Sequence, residues 1–244
     1  MPLALGWSLA AALMGLFCML GAWQLSRGER KEAMLADASG VVTERRALSL
    51  AAAADATRSD ALDWAEGAGR FADAPAVLLD NQIRESRPGV RVYRVFLPEA
   101  GAPLLVDLGW LPLPADRRLP VIAPLPRTLR VAGLLAPPPS AGIATPGVTA
   151  TPEGSLLAIG LDHEVLSGAL RLPNLAPRVL NLDPDLSIGY ARDLDILPNT
   201  LPPERHLGYA VQWFGLAAAV FVTAVVMTLR QRRRRPGARE KIRP

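Results

Sequence analysis

Two long runs without a charged residue constrain the fold of this chain most. They are residues 3–25, LALGWSLAAALMGLFCMLGAWQL, and residues 207–229, LGYAVQWFGLAAAVFVTAVVMTL. About 20 apolar residues suffice for an α-helix to cross about 30 Å of hydrocarbon. A cleaved signal peptide is the alternative for the first run, but no basic residue precedes it and it is long for a signal's apolar part. The sequence therefore predicts two transmembrane helices.

The distribution of charge predicts how these helices are oriented. Eight of the 27 Lys and Arg residues lie in residues 230–244, beside a single Glu. A basic cluster next to a membrane span marks the cytoplasmic side. We therefore expect a basic cytoplasmic tail at 230–244, an N-terminus that is also cytoplasmic, and residues 26–206 on the outer side. Basic residues at 27, 30 and 31 argue weakly for the opposite orientation.

Without that tail the chain carries 19 basic and 22 acidic residues, so its body offers no basic surface. This balance argues against nucleic acid as a partner. The apolar runs instead predict membrane lipids as the surroundings of both chain ends.

The segment between the runs is long enough for one domain with its own core. Strand-like runs bounded by Gly, Pro and Asp lie at 76–80, 90–97, 103–111, 129–135, 155–160 and 178–182. Helices are expected at 27–38, 47–56 and 160–170, and a long Pro- and Gly-rich loop at 136–153. The alternation within 90–97 predicts a sheet with one buried face. We expect a membrane protein in which two transmembrane α-helices flank an extracytoplasmic α+β domain with a mostly antiparallel sheet, a sheet that can curl into a barrel.

Motifs of known catalytic chemistry are missing from the sequence. It has one cysteine and two histidines, His163 and His206, which excludes an internal disulfide and a Cys-rich metal site. It contains no nucleophile elbow, phosphate-binding loop or dinucleotide fingerprint. His163 is expected as a surface residue at a helix start. We expect a protein that is not an enzyme, with an envelope hydrolase as the weaker alternative.

Four stretches, taken in order along the chain, carry a family resemblance. They are GAWQLSRGERK at 21–31, GRF at 69–71, RPGVRVYRVFLPEAGAPLLVDLGWLP at 87–112 and HLGYAVQWF at 206–214. Together with the two-span topology they resemble the surfeit locus protein 1 family of cytochrome c oxidase assembly proteins, as a divergent bacterial member. The chain departs from the family where Asp107-Leu108 replaces Asn-Arg, where Arg94-Val95-Phe96 replaces an expected Thr-Pro pair, and where Arg205 replaces an Asn.

The resemblance implies a role in assembling haem-copper cytochrome c oxidase in the bacterial inner membrane, with the main domain in the periplasm. It implies that the protein binds haem a or delivers it to oxidase subunit I, with haem A synthase as a second partner. It also implies His206 as the ligand of the haem iron. A haem-independent, membrane-anchored scaffold for oxidase assembly is the alternative.

Helical geometry shows which side chains could accompany His206. Trp213 returns to within about 20° of the same helix face, and Tyr209 lies one turn on. An imidazole nitrogen can ligate haem iron, and Arg27 and Arg205 could pair with the anionic propionates. Interfacial His, Tyr and Trp also anchor many membrane helices without any ligand.

Further candidate residues lie at the same leaflet. Gln24 and Gln212 could bridge the two helices, an interaction of about 0.6–2 kcal/mol, and Trp23 and Arg27 are one turn apart and could stack. These four residues could serve either of two roles: packing of the helix pair or direct contact with the cofactor. The candidate cofactor-binding set is His206, Tyr209, Trp213, Gln212, Trp23, Gln24, Arg27 and Arg205.

Overall fold

The computed structural model describes residues 3–126, 128–139, 145, 147–194 and 202–233 of the chain. Its helices are α1 (Leu3–Glu44), α2 (His163–Leu170) and α3 (Pro203–Arg233), with 3-10 turns at Leu50–Ala54 and Ala56–Arg58. Its strands are β1 (Leu48–Ser49), β2 (Asp63–Phe71), β3 (Val77–Arg84), β4 (Arg87–Pro98), β5 (Leu104–Pro112), β6 (Leu129–Ala136), β7 (Val148–Ala150), β8 (Leu156–Ala158) and β9 (Val179–Leu182).

The chain divides into two compact units. Met1–Met34 and Leu201–Pro244 form a helical unit, and Leu35–Thr200 form a sheet unit. In the helical unit, α1 and α3 are long and apolar enough to cross a membrane. Large apolar side chains on both helices are exposed, Met19 at 62% and Val211 at 64%, as expected for helices surrounded by lipid. The expected fold, apolar helices flanking a mixed sheet domain, is confirmed. The position of the membrane surface relative to residues 26 and 206 stays a prediction, and the tail beyond Arg233 lies outside the described residues.

Strand pairing closes five strands of the sheet unit into a ring. β2 pairs antiparallel with both β6 and β4, and the circuit continues through β6–β9, β9–β5 and β5–β4. Within the ring only β5–β9 is parallel. β3 extends the sheet from β4, β8 and β7 follow it, and β1 lies parallel to β2. The sheet is therefore mostly antiparallel, as predicted.

Glycine permits the closest approach at the seam of the ring. A Cβ atom at Gly69 of β2 would lie 2.3 Å from the carbonyl oxygen of Leu97 in β4. Real Cβ atoms do not come so near to backbone, so a side chain there would push β2 away from β4. GRF at 69–71 is thus the segment where the ring closes.

The sheet is buried on both faces near β4, which corrects the prediction of one buried face. Val90, Val92 and Phe96 belong to one hydrophobic cluster, and Tyr93 and Val95 to a second. The second cluster includes Leu166 and Leu170 of α2, which cover this side of the sheet. Arg91, which alternates with Val90 and Val92 and by that pattern belongs on an exposed face, is also buried, and its ion pair is described below.

The six predicted strands correspond to β3, β4, β5, β6, β8 and β9, with shifts at their ends. The predicted helix at 47–56 is wrong, because this segment forms β1 and 3-10 turns. Asp55 accounts for the last turn, since its side chain accepts the Thr57 N–H at 2.9 Å. β7 occupies part of the predicted loop at 136–153, of which residues 140–144 and 146 lie outside the described residues.

The predicted helix at 160–170 is confirmed as α2, which Asp162 caps by accepting the Val165 N–H at 3.0 Å. Its first residue, His163, is half-buried rather than a surface residue. The His163 Nε2 atom lies 2.6 Å from the Leu175 carbonyl oxygen, so the imidazole donates there and ties α2 to the following loop.

Candidate functional site

α1 and α3 of the helical unit pack closely because small residues face large ones. A Cβ atom at Gly21 would lie 2.8 Å from the Phe214 ring, and one at Gly28 would lie 3.4 Å from the His206 Cβ. Ala210 is 1% exposed and Ala217 is 7% exposed. Small residues of this kind let transmembrane helices approach until their side chains interlock.

α3 begins just before the candidate histidine. Pro203 is the first residue of the helix, where its missing N–H costs nothing, and Glu204 follows in the first turn, where a negative charge favours the helix dipole. This start places His206 in the first turn of α3. The residue is 9% exposed and faces α1.

A hydrogen bond joins His206 to the other helix. The His206 Nδ1 atom lies 2.8 Å from the Gln24 side-chain oxygen. An amide oxygen only accepts, so Nδ1 carries the proton and donates it. The second ring nitrogen, Nε2, is buried and has no hydrogen-bond partner among the residues that the structure describes. The neutral imidazole therefore keeps one lone pair unused.

This arrangement suits a metal ligand. Ligating histidines almost always donate their other ring N–H to an acceptor, which fixes the tautomer and the ring orientation. Gln24 fills that role, and Nε2 is then the nitrogen available to an iron. A haem would thus find an oriented neutral imidazole, which is the donor it needs.

The other candidate residues are distributed around the two helices. Trp213 is half-buried and stacks on Phe17 with 5.7 Å between ring centroids, which ties α3 to α1. The remaining candidates are exposed: Trp23, Tyr209, Gln212, Arg27 and Arg205. Of the two predicted bridging glutamines, only Gln24 lies between the helices. Neither cation–π contact within the described residues involves the predicted Trp23–Arg27 stack.

Sequence reasoning missed the two glycines of this site. Gly21 and Gly28 lie seven residues apart with Gln24 between them, the spacing of one helix face. That spacing is the signal that could have identified the face of α1 turned toward α3.

A second group of buried polar side chains lies in the sheet unit. Arg91 Nε on β4 and Asp107 Oδ2 on β5 form an ion pair at 2.8 Å, and Asp107 also accepts the Gly109 N–H at 2.9 Å. Burial raises the pKa of Asp107, while the charge of Arg91 opposes this. Burial and the Asp107 carboxylate together raise the pKa of the Tyr93 hydroxyl.

The surroundings of residues 107 and 108 explain the sequence departure there. Asp107 belongs to the ion pair with Arg91, and Leu108 is part of the core. Gly109 has φ +110° beside a register shift between β4 and β5, a bulge that favours glycine. Leu108 is fully buried in the hydrophobic cluster with Val90 and Val106. Position 108 therefore packs inside the sheet unit and offers no surface to a partner.

The third buried polar group is centred on Arg178 at the start of β9. Its guanidinium is fully buried and lies 2.8 Å from Asp63 Oδ2, 2.6 Å from the Ala61 carbonyl oxygen and 3.1 Å from that of Leu135. Arg58 binds the other oxygen of Asp63. Arg178 thereby joins β9 to β2 and β6, which is a structural role.

No group of three or more His, Cys, Asp or Glu side chains that could hold a metal ion occurs in the described part of the chain. The buried charges of the sheet unit lie in ion pairs, and the nitrogen of Arg178 that has no hydrogen-bond partner among the described residues belongs to a guanidinium, which has no lone pair to offer a metal. The open nitrogen of His206 is therefore the best candidate for a ligand-binding group.

Comparison with known proteins adds the family. The sequence model of the SURF1 family matches residues 11–218, far more than half of the chain. No curated protein matches the chain at a significant level. The match extends from the first apolar run, across the whole sheet unit, into the second. The chain therefore belongs to the SURF1 family, a membrane protein family of assembly factors, not typically enzymatic, that is known for cytochrome oxidase assembly.

Proposed function

We propose that this protein binds haem a at the His206 end of its helix pair and delivers it to subunit I of a haem-copper cytochrome c oxidase. The observation that carries the proposal is the buried Nε2 of His206, which has no partner among the described residues while Gln24 holds Nδ1. Leaving a buried polar atom unpaired costs about 1–3 kcal/mol. Such a cost is understandable where the atom serves a ligand.

Surrounding residues would supply the remaining contacts. The exposed Arg27 and Arg205 flank the helix ends at this level and suit anionic propionates, since guanidinium pairs with carboxylate. Trp213 lies two turns along α3 from His206, and its ring, stacked on Phe17, would give the haem an apolar surface. The haem would supply an iron that takes the Nε2 lone pair, and the chain would orient it by its own side chains.

The proposed cellular setting follows from the charges of the chain. Arg230, Arg232 and Arg233 end α3, and such a cluster marks the cytoplasmic side. His206 then lies at the outer leaflet of a bacterial inner membrane, with the sheet unit in the periplasm. Haem A synthase as the donor and oxidase subunit I as the acceptor are the partners of this proposal.

Spectroscopy of the purified full chain tests the haem claim. The wild type, taken from cells that make haem a, should carry a haem spectrum that His206→Ala loses. His163→Ala is the matched control, because it removes the other histidine, which already donates to Leu175. A wild type without haem, or an unchanged spectrum in His206→Ala, would contradict the proposal.

A haem-independent scaffold is the second candidate function. The observation that favours it is the low exposure of His206, 9%, because a side chain this enclosed can serve as an interhelical hydrogen-bond donor alone. Deleting the gene separates oxidase assembly from haem binding. Loss of oxidase activity and its restoration by His206→Ala would favour the scaffold, and unchanged activity in the deletion strain would contradict both functions.

A further inference from the structure

A groove of about 790 Å³ lies between α1 and α3, in the half of the helical unit that ends at Arg230 and Gln231. Its walls include Gly6, Trp7 and Ala10 on α1, and Ala219 and Thr228 on α3. Its volume falls within the range of about 300–1,000 Å³ that is common for ligand clefts. None of its lining residues belongs to the His206 site.

A polar contact joins the two walls of the groove. Trp7 Nε1 donates to Thr228 Oγ1 at 3.0 Å, and the Trp7 ring meets Phe221 edge-on with 6.5 Å between centroids. Gly6 leaves its side of the groove open, because no atom lies within 4 Å of where its Cβ would be. The result is an apolar channel with an indole side chain held in its wall.

One end of the groove is positively charged. Arg230 and Gln231 line it, Arg232 and Arg233 follow directly, and no Asp or Glu is among the lining residues. Along α3 the lining extends from Leu216 to Gln231, a length of about 22 Å at 1.5 Å per residue. This exceeds the about 15 Å of hydrocarbon in one leaflet, so the groove extends from an apolar depth to the headgroup level.

We propose that this groove is a binding site for one anionic phospholipid, whose acyl chain lies along the groove and whose headgroup phosphate pairs with Arg230. Guanidinium binds phosphate oxygens in a bidentate manner, and the neighbouring arginines favour a lipid with net negative charge. The positive charge at the end of the groove therefore favours an anionic lipid over a partner helix.

Quenching of Trp7 fluorescence by brominated lipid tests the site. The full chain is placed in phosphatidylcholine vesicles that contain a small, equal fraction of either dibrominated phosphatidylglycerol or dibrominated phosphatidylcholine. The difference between wild type and Trp7→Phe isolates the Trp7 signal from the other four tryptophans. We expect several-fold stronger quenching of Trp7 by the anionic lipid.

Two glycine variants separate a bound lipid from general attraction to the basic cluster. Gly6→Leu fills the groove but keeps every charge, so the excess quenching should disappear. Gly15→Leu is the matched control, because Gly15 also has no atom within 4 Å of its Cβ position but lies outside the groove lining, and it should keep the excess. Arg230→Gln should reduce the excess without filling the groove.

Three outcomes would overturn the proposal. Equal quenching by the two lipids would show that no anionic lipid is bound near Trp7. An excess that survives Gly6→Leu would show that the basic cluster alone collects the lipid. If Gly6→Leu shows the same lipid quenching as the wild type but no longer co-purifies with oxidase subunits, the groove would be assigned to a partner helix.

Discussion

The helical unit and the sheet unit each bury polar side chains, but the chemistry of the buried groups differs. In the sheet unit Arg178 is fully buried, and its guanidinium meets the Asp63 carboxylate and two carbonyl oxygens in two separate chain segments, while its Nε has no hydrogen-bond partner among the described residues. In the helical unit His206 uses one nitrogen on Gln24 and leaves the other without a partner among the described residues. A guanidinium nitrogen can only donate, so Arg178 serves to hold the fold together, whereas the unpaired imidazole nitrogen of His206 has a lone pair and can also take a ligand.

The largest effect is expected from removing Arg178, the buried cation of the sheet unit. Arg178→Ala leaves Asp63 in an enclosed site with Arg58 as its remaining cation, and breaking a buried ion pair costs about 3–5 kcal/mol in free energy of unfolding. Denaturant unfolding of the purified full chain, followed by tryptophan fluorescence, measures this loss.

The matched control for that variant is Arg130→Ala. Arg130 pairs with Glu66 at 2.6 Å, but its side chain is 64% exposed, and exposed pairs contribute about 0–1 kcal/mol. Equal losses in the two variants would mean that the burial of Arg178 adds nothing, and the contrast between the two units would lose its basis.

A smaller effect, on binding rather than on folding, is expected from Gln24→Leu. The variant removes the acceptor that orients His206, and loss of such a partner lowers metal affinity about 10–100-fold. Haem titration of the purified protein measures it, with Gln212→Leu as the control, because Gln212 is exposed. If haem affinity stayed unchanged while the helix pair became less stable, Gln24 would be only a packing residue.

Acid pH should weaken the sheet unit through Asp63. Burial acts to raise the pKa of Asp63, but hydrogen bonds and charge from Arg58 and Arg178 outweigh it and hold the pKa below its ordinary value. The carboxylate therefore stabilises the fold above about pH 4, and this stabilisation is lost as the pH falls through that value toward the folded-state pKa. The free energy of unfolding, measured from about pH 6 to about pH 2.5, should fall less steeply with decreasing pH in Asp63→Asn than in the wild type. Parallel curves for the two proteins would contradict the stabilising role of the Asp63 carboxylate.

The smallest effect is expected from two alanine variants in the helix pair. Gly21→Ala places a Cβ atom 2.8 Å from the Phe214 ring, which must shift at a cost of about 1 kcal/mol, whereas Gly28→Ala places one at an ordinary 3.4 Å from the His206 Cβ. Titration with denaturing detergent should therefore unfold Gly21→Ala earlier than Gly28→Ala. The reverse order would mean that the His206 end of the pair is the tighter one.

Local pattern was enough to predict most elements of this chain. The β-branched and leucine-rich runs between Gly, Pro and Asp correspond to six of the nine strands among the described residues. β2 was not among the predicted strands, because Glu66, Gly67 and Gly69 interrupt its apolar pattern. Both glycines are needed for close packing: Leu50 approaches the strand at Gly67, and the end of β4 approaches it at Gly69. Local residues carry no signal for that need.

Long-range partners could not be predicted in the same way. Arg178 is the first residue of the predicted strand at 178–182, and only the closed ring brings Asp63 and two carbonyl oxygens to it. The predicted topology puts Gln24 and His206 at the same leaflet, but the hydrogen bond between them depends on the rotation of the two helices, which Gly21 and Gly28 set through packing.

The position of β9 in the ring determines when the sheet unit can close. β9 is the last strand along the described chain, yet it lies between β5 and β6. Ribosomes make the chain from its N-terminus, so the edges of β5 and β6 that pair with β9 stay unpaired until residues 179–182 have been added. Open strand edges readily pair with other chains. Nascent chains that stop short of this strand should therefore be prone to aggregate, and the domain should complete its fold late in synthesis.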